Sequence, residues 1–284
     1  MTRALFRLAL TDGSTRLALG DPAGGPSALL DPAVTLDELL AGERFWERTA
    51  ASASSGGIPA GWHLLAPIER QPVWAAGVTY ERSRAGREQE STSAADVYGL
   101  VYEAERPELF FKGDGPQAVG PDEAIGVRRD STWDAPEPEL VLVVDAALRL
   151  VGYTVGNDVS SRSIEGANPL YLPQAKVYER SCALGPCIVA ADDVRLPADV
   201  SLNVLRDGAV AFSGTGTTGS MRRTPAELID WLGRAMSFER GAFLMTGTGI
   251  VPPETFTLRA DDIVTIQIAG IGELRNPVVV VGRA

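Results

Sequence analysis

The chain has 284 residues, of which 45% are hydrophobic and 22% charged. This length and hydrophobic content are sufficient for one large globular domain, alone or with a second, small domain. Its formal net charge of −11, without any Lys/Arg-rich cluster, argues against nucleic acid as a partner. The sequence has neither an apolar run of about 18 residues nor a signal-peptide pattern, so we expect a cytoplasmic protein with no membrane partner.

Residues 1–68 are predicted to form a small N-terminal domain. Within it, Thr35 and Glu38 have the spacing of a capping box, which predicts that a helix begins there. A stretch rich in Ser, Ala and Gly at residues 50–61 predicts a flexible connection. The larger domain, residues 69–284, then opens with a buried strand predicted at residues 73–78.

Residues 81–106 are highly charged and contain few β-branched residues. This composition predicts one or two exposed helices. Such helices are equally consistent with a mobile cover over an active site and with a simple solvated helix pair. The sequence leaves both alternatives open.

After residue 107 the pattern is mostly that of strands, with one clear helix. Thr224 and Glu227 again have capping-box spacing, and Pro225 occupies the first helical position. We therefore predict a mixed α+β fold that is mostly β, with peripheral helices. The predicted strands are at residues 109–111, 140–144, 148–155, 187–190, 202–204 and 263–268, the second and third forming a hairpin.

Glu137 and Glu139 stand just before and at the start of this hairpin. Carboxylates at positions i and i+2 of an extended chain point to the same face, and the hairpin returns Asp158 towards them. Three hard oxygen ligands suit Mg²⁺, Mn²⁺ or Ca²⁺ rather than zinc or copper. The alternatives are that the two glutamates face solvent on an edge strand and that Asp158 caps a turn.

The chain has few of the residues that other kinds of metal site or a nucleophilic mechanism would require. His63 is the only histidine, which excludes multi-histidine sites and leaves Glu, Asp, Lys, Tyr, Cys or a metal-bound water as the general base. Cys182 and Cys187 have neither C-x-x-C spacing nor enough partner ligands for zinc. We predict that both cysteines pack as small apolar side chains.

Several segments together resemble the fumarylacetoacetate hydrolase superfamily in order and spacing. They are residues 110–112, 136–140, 152–162, 176 and 246–250, and the resemblance covers roughly residues 70–284. It implies a β-roll core in which Mg²⁺ or Mn²⁺ is held by Glu137, Glu139 and Asp158. It also implies a homodimer or homotetramer. Because members of this superfamily catalyse several reactions, the fold alone does not define the activity.

Three further segments, residues 78–84, 102–112 and 168–178, resemble the 2-keto-3-deoxy-D-arabinonate dehydratases within this superfamily. The narrower resemblance implies that a 2-oxo acid loses water to give 2-oxoglutarate semialdehyde, in pentose degradation. It also implies that Glu108 and Lys176 flank the substrate. The hydrolases of the superfamily carry a water-activating histidine on the covering segment, where this chain has Tyr80-Glu-Arg-Ser83.

We expect Lys176 to remove the C3 proton of the substrate and Glu108 to protonate the leaving hydroxyl, although the roles can be reversed. A Schiff-base lysine is a less favoured alternative. Arg84 and Thr248 are predicted to contact a substrate carboxylate or hydroxyl. The competing interpretations are another 2-oxo acid enzyme (a hydrolase, decarboxylase or isomerase) and a non-catalytic sugar-acid binding protein. As alternatives to these catalytic roles, Lys176 is an ordinary surface lysine and Glu108 belongs to a surface ion pair.

Overall fold

The structure is a computed structural model that describes residues 2–81 and 95–283. The strands in these ranges are β1 (Ala4–Ala9), β2 (Thr15–Asp21), β3 (Gly25–Leu29), β4 (His63–Leu65), β5 (Pro72–Gly77), β6 (Glu108–Asp114), β7 (Ile125–Arg128), β8 (Asp134–Ala135), β9 (Pro138–Val144), β10 (Leu150–Asp158), β11 (Ser160–Ser161), β12 (Cys182–Ala190), β13 (Asp199–Arg206), β14 (Ala209–Thr217), β15 (Ala242–Met245), β16 (Ile263–Ile268) and β17 (Gly272–Val281). The helices are α1 (Leu36–Ala41), α2 (Phe45–Ala51), α3 (Ala95–Glu103), α4 (Arg162–Ala167), α5 (Leu172–Lys176) and α6 (Pro225–Gly233).

Two large sheets dominate the described part of the chain. The larger has ten strands in the order β3-β2-β1-β12-β10-β9-β15-β5-β6, with β4 also pairing with β1. The smaller has five strands in the order β14-β13-β16-β17-β7, and β8 and β11 form a separate two-stranded ladder. The predicted mixed fold with a majority of strands is confirmed.

The middle of the large sheet is buried on both faces, which explains its continuous apolar sequence. Every residue of β9 is buried, and its successive side chains enter two different cores. Leu142 joins the core between the two sheets, which includes Leu202 and Ile266. Val143 joins a second core with Leu36 of α1. Helices α1 and α2, the large sheet and the small sheet therefore form three layers, and β9 lies in the central one.

Local sequence signals place the helix starts and the central hairpin correctly. The Thr35 side chain accepts a hydrogen bond from Glu38 N and the reciprocal bond is present, so the predicted capping box opens α1. Thr224 likewise caps α6, with Pro225 at its first position. Strands β9 and β10 form the predicted hairpin. In the described ranges, no helix combines the length and apolar character needed to cross a membrane.

The N-terminal residues extend the large sheet. Ala4 and Leu5 of β1 pair with Val189 and Ile188 of β12, and β2, β3 and β4 continue outwards from β1. The sequence predicted a helix in this region but not these strands. The division proposed between residues 68 and 69 falls between β4 and β5. The division into two domains stays a prediction. The assembly into a homodimer or homotetramer also stays a prediction.

The charged segment after β5 is described only in part. Helix α3 occupies its second half, as predicted, whereas residues 82–94 lie outside the described residues. Arg223 donates hydrogen bonds to the carbonyls of Ala104 and Glu105, just beyond α3. These bonds fix the chain immediately before it enters β6 at Glu108.

The two cysteines behave as predicted. Cys182 and Cys187 are free thiols buried on β12, and burial raises the pKa of each to about 12. A thiol with such a pKa is largely protonated at neutral pH and is a poor nucleophile. His63, the single histidine, is exposed on β4 in the N-terminal part of the sheet.

The buried centre of β9 predicts a large cost for truncation. We expect Leu142→Ala to destabilise the protein by about 2–5 kcal/mol, because it removes apolar contacts and leaves a cavity between the sheets. Leu170→Ala, at a leucine 84% exposed, should change stability by no more than about 0.5 kcal/mol. Urea unfolding followed by circular dichroism measures both. Equal stabilities for the two variants would contradict the three-layer packing.

Candidate metal centre

The β9–β10 hairpin brings three carboxylates together. Glu137 precedes β9, Glu139 lies in it opposite Gly156, and Asp158 ends β10. The Asp158 amide donates to the Glu137 carbonyl over 3.0 Å, and the Glu137 amide donates to Asn157 Oδ1 over 3.0 Å. One oxygen of each carboxylate lies within 4.8 Å of the others, and all three residues are buried. The predicted ligands therefore form one cluster.

Three cations compensate these buried carboxylates. Lys176 Nζ lies 2.9 Å from both Glu137 Oε2 and Asp158 Oδ2. Lys112 Nζ lies 2.6 Å from Asp158 Oδ1, and Arg162 Nη2 lies 2.8 Å from Glu137 Oε1. All three cations are about 1% exposed. Burying charges away from water is costly unless opposite charges accompany them, so the cations are what allows three carboxylates to be enclosed here.

Glu139 is held in an environment that disfavours its negative charge. Burial, together with the charges of Asp158 and Glu137, raises the pKa of Glu139 well above its usual range. The Lys176 ammonium and the amide of Gly247 act in the opposite direction but do not reverse the shift. A divalent cation would relieve the same repulsion, and a set of hard oxygen donors fits such an ion. The cluster could therefore hold a divalent metal.

Lys176 ends the short helix α5 and reaches into the cluster. Its Nζ donates to Ser160 Oγ over 2.6 Å, and Ser160 Oγ donates in turn to the Asp158 carbonyl over 2.9 Å. The ring of Phe110 lies 5.5 Å from the same ammonium. The structure thus places Lys176 beside the carboxylates, fully buried and not at the surface.

Gly247 supplies a backbone donor to the cluster. Its amide donates to Glu139 Oε2 over 2.6 Å, and its φ of +88° is in the left-handed region that favours glycine. A Cβ at this position would lie 2.0 Å from Thr79 Oγ1. The next residue, Thr248, is buried, and its hydroxyl bonds both to the amide of Ile250 at 3.2 Å and to its carbonyl at 3.3 Å. A substrate contact for Thr248 stays a prediction.

Glu108 reaches the same edge of the large sheet. It is the first residue of β6, pairs with Gly77 of β5, and lays its carboxylate over that glycine, whose Cβ would be 2.0 Å from Glu108 Oε2. Strands β5 and β15 are parallel neighbours, so Gly77 and Gly247 leave the sheet at one end. Glu108 therefore lies at the rim of the end that carries the cluster, and its catalytic role stays a prediction. Arg84, the other predicted substrate contact, lies outside the described residues.

No role for Lys112, Arg162 or Ser160 could be predicted from the sequence. Lys112 carried a signal, because a lysine that directly follows the apolar run Leu109-Phe-Phe111 in a predicted strand suggests a buried partner. Arg162, at the first position of α4, carried no comparable signal, since an arginine there is usually exposed. Only the folded chain brings these side chains to the carboxylates.

Known proteins resemble this chain over most of its length. Residues 73–279 match the family model described as the fumarylacetoacetate (FAA) hydrolase C-terminal domain. The probable 2-keto-3-deoxyxylonate dehydratase of Haloferax volcanii is 49% identical over 221 residues, which are 77% of this chain and 76% of that protein. The 2-dehydro-3-deoxy-D-arabinonate dehydratase of Saccharolobus solfataricus is 44% identical over 220 residues, 76% and 74% of the two chains.

A solved structure is similar over nearly the whole chain. It is a 2-keto-3-deoxy-D-arabinonate dehydratase complexed with magnesium and 2,5-dioxopentanoate. The TM-score is 0.86 and the identity 34%, with 99% of this chain and 100% of that one covered. The similarity includes the N-terminal strands that extend the large sheet.

The raised pKa of Glu139 makes metal affinity depend on pH. Below that pKa the metal-free carboxyl is protonated, so metal binding must release a proton. The metal affinity should therefore fall by about tenfold for each unit by which the pH is lowered. Above it, the affinity should become independent of pH. Titration with Mn²⁺, followed by electron paramagnetic resonance at a series of pH values, measures this.

Two variants serve as controls for the pH dependence. Asp134→Asn removes another carboxyl whose pKa burial raises, in this case to about 6, and should leave the slope unchanged. Glu139→Gln should weaken binding at pH values above the Glu139 pKa, because a ligand is lost, and should remove the pH dependence, because the titrating carboxyl is gone. An affinity in the unsubstituted protein that stays constant as the pH falls would contradict the assignment of Glu139.

Proposed function

Because the chain belongs to the fumarylacetoacetate hydrolase family, we propose that it is a magnesium-dependent dehydratase that converts 2-keto-3-deoxy-D-arabinonate to 2-oxoglutarate semialdehyde and water. Two relatives at 49% and 44% identity are named as dehydratases of such acids. The ligand named with magnesium in the similar structure, 2,5-dioxopentanoate, is the same compound as 2-oxoglutarate semialdehyde. The enzyme class is a hydro-lyase.

The observation that carries this proposal is the position of Lys176. Its Nζ contacts two of the three carboxylates that would hold the metal, at 2.9 Å each. A 2-oxo acid bound through its carboxylate and keto oxygens would present its C3 hydrogens to groups beside the metal. A proton acceptor beside a metal-bound 2-oxo acid is what dehydration at C3 and C4 requires. Glu137, Glu139 and Asp158 are the proposed Mg²⁺ ligands.

The names of the two relatives point to one substrate. A 2-keto-3-deoxy pentonic acid has no stereocentre at C2 or C3 and keeps only C4. The D-arabinose and D-xylose series share the configuration at C4, so both give the same deoxy acid. We therefore propose that the substrate is the 2-keto-3-deoxy pentonic acid of the D series, whether D-arabinose or D-xylose supplies it.

The reaction begins with proton transfers by two residues. When bound, the metal supplies Lewis-acid polarisation of the 2-oxo group, which lowers the cost of removing a C3 proton. A bound divalent cation would take over the charge compensation that the Lys176 ammonium provides, which favours the neutral amine beside it. Lys176, as this neutral amine, takes the C3 proton, and Glu108, as a carboxylic acid, gives its proton to the C4 hydroxyl. The C4–O bond breaks and water leaves. The product of this step has a C3–C4 double bond conjugated with the 2-oxo group.

A second exchange of protons restores both residues. The unsaturated acid still carries a hydroxyl on C5, and the Glu108 carboxylate can take a proton from that carbon. The Lys176 ammonium returns a proton to C3, which moves the double bond to C4–C5. The resulting enol ketonises to the C5 aldehyde. The substrate has then lost one water, and Lys176 and Glu108 have returned to their starting protonation states.

Purified protein with Mg²⁺ should form 2-oxoglutarate semialdehyde from 2-keto-3-deoxy-D-arabinonate, measured with a coupled semialdehyde dehydrogenase. EDTA should abolish turnover, Mg²⁺ should restore it, and Glu139→Gln should be inactive because it loses a ligand. The C4 epimer of the substrate is the control for stereochemistry. Absence of turnover while Mn²⁺ is demonstrably bound would overturn the substrate and leave the metal site intact.

The catalytic pair can be separated by hydrogen exchange. Lys176→Met and Glu108→Gln should each lower kcat by about 10²–10⁴-fold. In D₂O, Glu108→Gln should still exchange the C3 hydrogens of the substrate, because it keeps the base, whereas Lys176→Met should not. Nuclear magnetic resonance of the substrate measures this exchange, with exposed Glu105→Gln as the matched control. Loss of exchange in Glu108→Gln alone would reverse the two roles.

A further inference from the structure

Each of the three clustered carboxylates has an oxygen in contact with a donor other than Lys176. For Asp158 it is Oδ1, 2.6 Å from Lys112 Nζ in an ion pair. For Glu137 it is Oε1, 2.8 Å from Arg162 Nη2. For Glu139 it is Oε2, which accepts the amide of Gly247 over 2.6 Å. The pattern is the same at all three residues, although the donors come from separate parts of the chain.

The second oxygens of Glu137 and Asp158 face a different way. Glu137 Oε2 and Asp158 Oδ2 both lie 2.9 Å from Lys176 Nζ, so these two atoms converge on one point. Each of these two carboxylates therefore has an inner oxygen directed to the Lys176 side and an outer oxygen in contact with another cation. A metal bound on the Lys176 side would meet these inner oxygens first.

Lys112 Nζ cannot easily move away from Asp158 Oδ1, the outer oxygen of that carboxylate. Its side chain is fully buried, and its Nζ also donates to the backbone carbonyls of Val159 (3.1 Å) and Lys176. The ammonium group has three donors, and three oxygens surround it. Moving it would leave buried carbonyls without their partner, which is costly. Its position is thus fixed by the backbone on both sides of the cluster.

The choice of lysine at this position is informative. The sequence has 26 basic residues, of which only Lys112 and Lys176 are lysines and 24 are arginines. Both lysines are in the cluster. An ammonium directs three donors from a single point, whereas a guanidinium spreads its donors over a planar fork and needs more room. The chain keeps lysine where compact donors must fit between buried oxygens.

We propose that Lys112 and Arg162 are positioning residues that hold Asp158 and Glu137 to one-oxygen ligation and thereby make the site selective for Mg²⁺ or Mn²⁺ over Ca²⁺. This inference rests on the proposed metal site. Mg²⁺ takes six oxygens in a strict octahedron, so three single oxygens leave three positions for water or substrate. Ca²⁺ prefers six to eight oxygens and often takes both oxygens of a carboxylate. Because Lys112 and Arg162 are buried against the outer oxygens, Ca²⁺ gains that second oxygen only if these cations move away or share it, which is costly.

The test compares two metals in four proteins. Isothermal titration calorimetry with Mg²⁺ and with Ca²⁺ gives the ratio of the two Kd values for the unsubstituted chain, Lys112→Met, Arg162→Met and the control Arg275→Met. Arg275 is exposed and pairs with Asp122 away from the cluster. The unsubstituted protein and the control should prefer Mg²⁺. Lys112→Met and Arg162→Met should each shift the ratio of Kd values towards Ca²⁺ by about tenfold. This is the usual size of the change in metal affinity when the partner of a metal ligand is mutated.

The outcomes separate selectivity from damage to the site. A substitution that merely disturbs the structure weakens both metals together, so an unchanged Kd ratio in Lys112→Met and Arg162→Met would overturn the inference. A Ca²⁺ preference in the unsubstituted protein would overturn it as well. If the folded, unsubstituted protein binds neither ion, the proposed metal site itself fails. The two variants act on different carboxylates, so one can report if the other does not fold.

A measurement on the unsubstituted protein needs no stable variant of Lys112. With ¹³C in its lysine side chains, the protein should give two ε-carbon signals by nuclear magnetic resonance, assigned by the loss of one in Lys176→Met. Saturating Mg²⁺ should move the Lys176 signal and leave the Lys112 signal in place, since the metal meets the inner oxygens. A large Mg²⁺-induced shift of the Lys112 signal would overturn the inference, because it would mean that Lys112 leaves Asp158.

Discussion

Electrostatic repulsion among Glu137, Glu139 and Asp158 governs how the surrounding strands and side chains are arranged. Three carboxylates within 4.8 Å of one another, all removed from water, would not stay ionised without nearby positive charge. The fold meets this requirement with the β9–β10 hairpin, which sets the spacing, and with three buried cations. A divalent metal would add positive charge near Glu139, whose pKa remains raised despite those cations.

Rigid surroundings give this cluster its geometry. Strand β9 lies in the central layer with both faces covered, so the carboxylates at its start are attached to a fully buried strand. The donors are equally constrained: Gly247 by its close contact with Thr79, and Lys112 by two backbone carbonyls. A site built in this way is prepared before any ligand arrives, and preorganisation of charge is a major source of enzymatic rate enhancement.

Local signals in the sequence predicted several parts of this structure. The caps at Thr35 and Thr224 and the central hairpin could be predicted because they depend on neighbouring residues. The N-terminal strands could not. Strand β1, with the sequence ALFRLA, is rich in residues that favour helices, and it is a strand because β12 offers an unpaired edge. Tertiary pairing here outweighs local preference.

Residue types and their spacing along the chain are enough to predict the kinds of ligand. Two glutamates at i and i+2 share a face of any extended segment, and the hairpin that follows returns Asp158, so the donor set for a hard cation was already specified. Only the tertiary structure decided which cation contacts which oxygen. Lys112 precedes Asp158 by 46 residues, and Lys176 follows it by 18. Contacts over such separations depend on sheet register and layer packing, which no local pattern encodes.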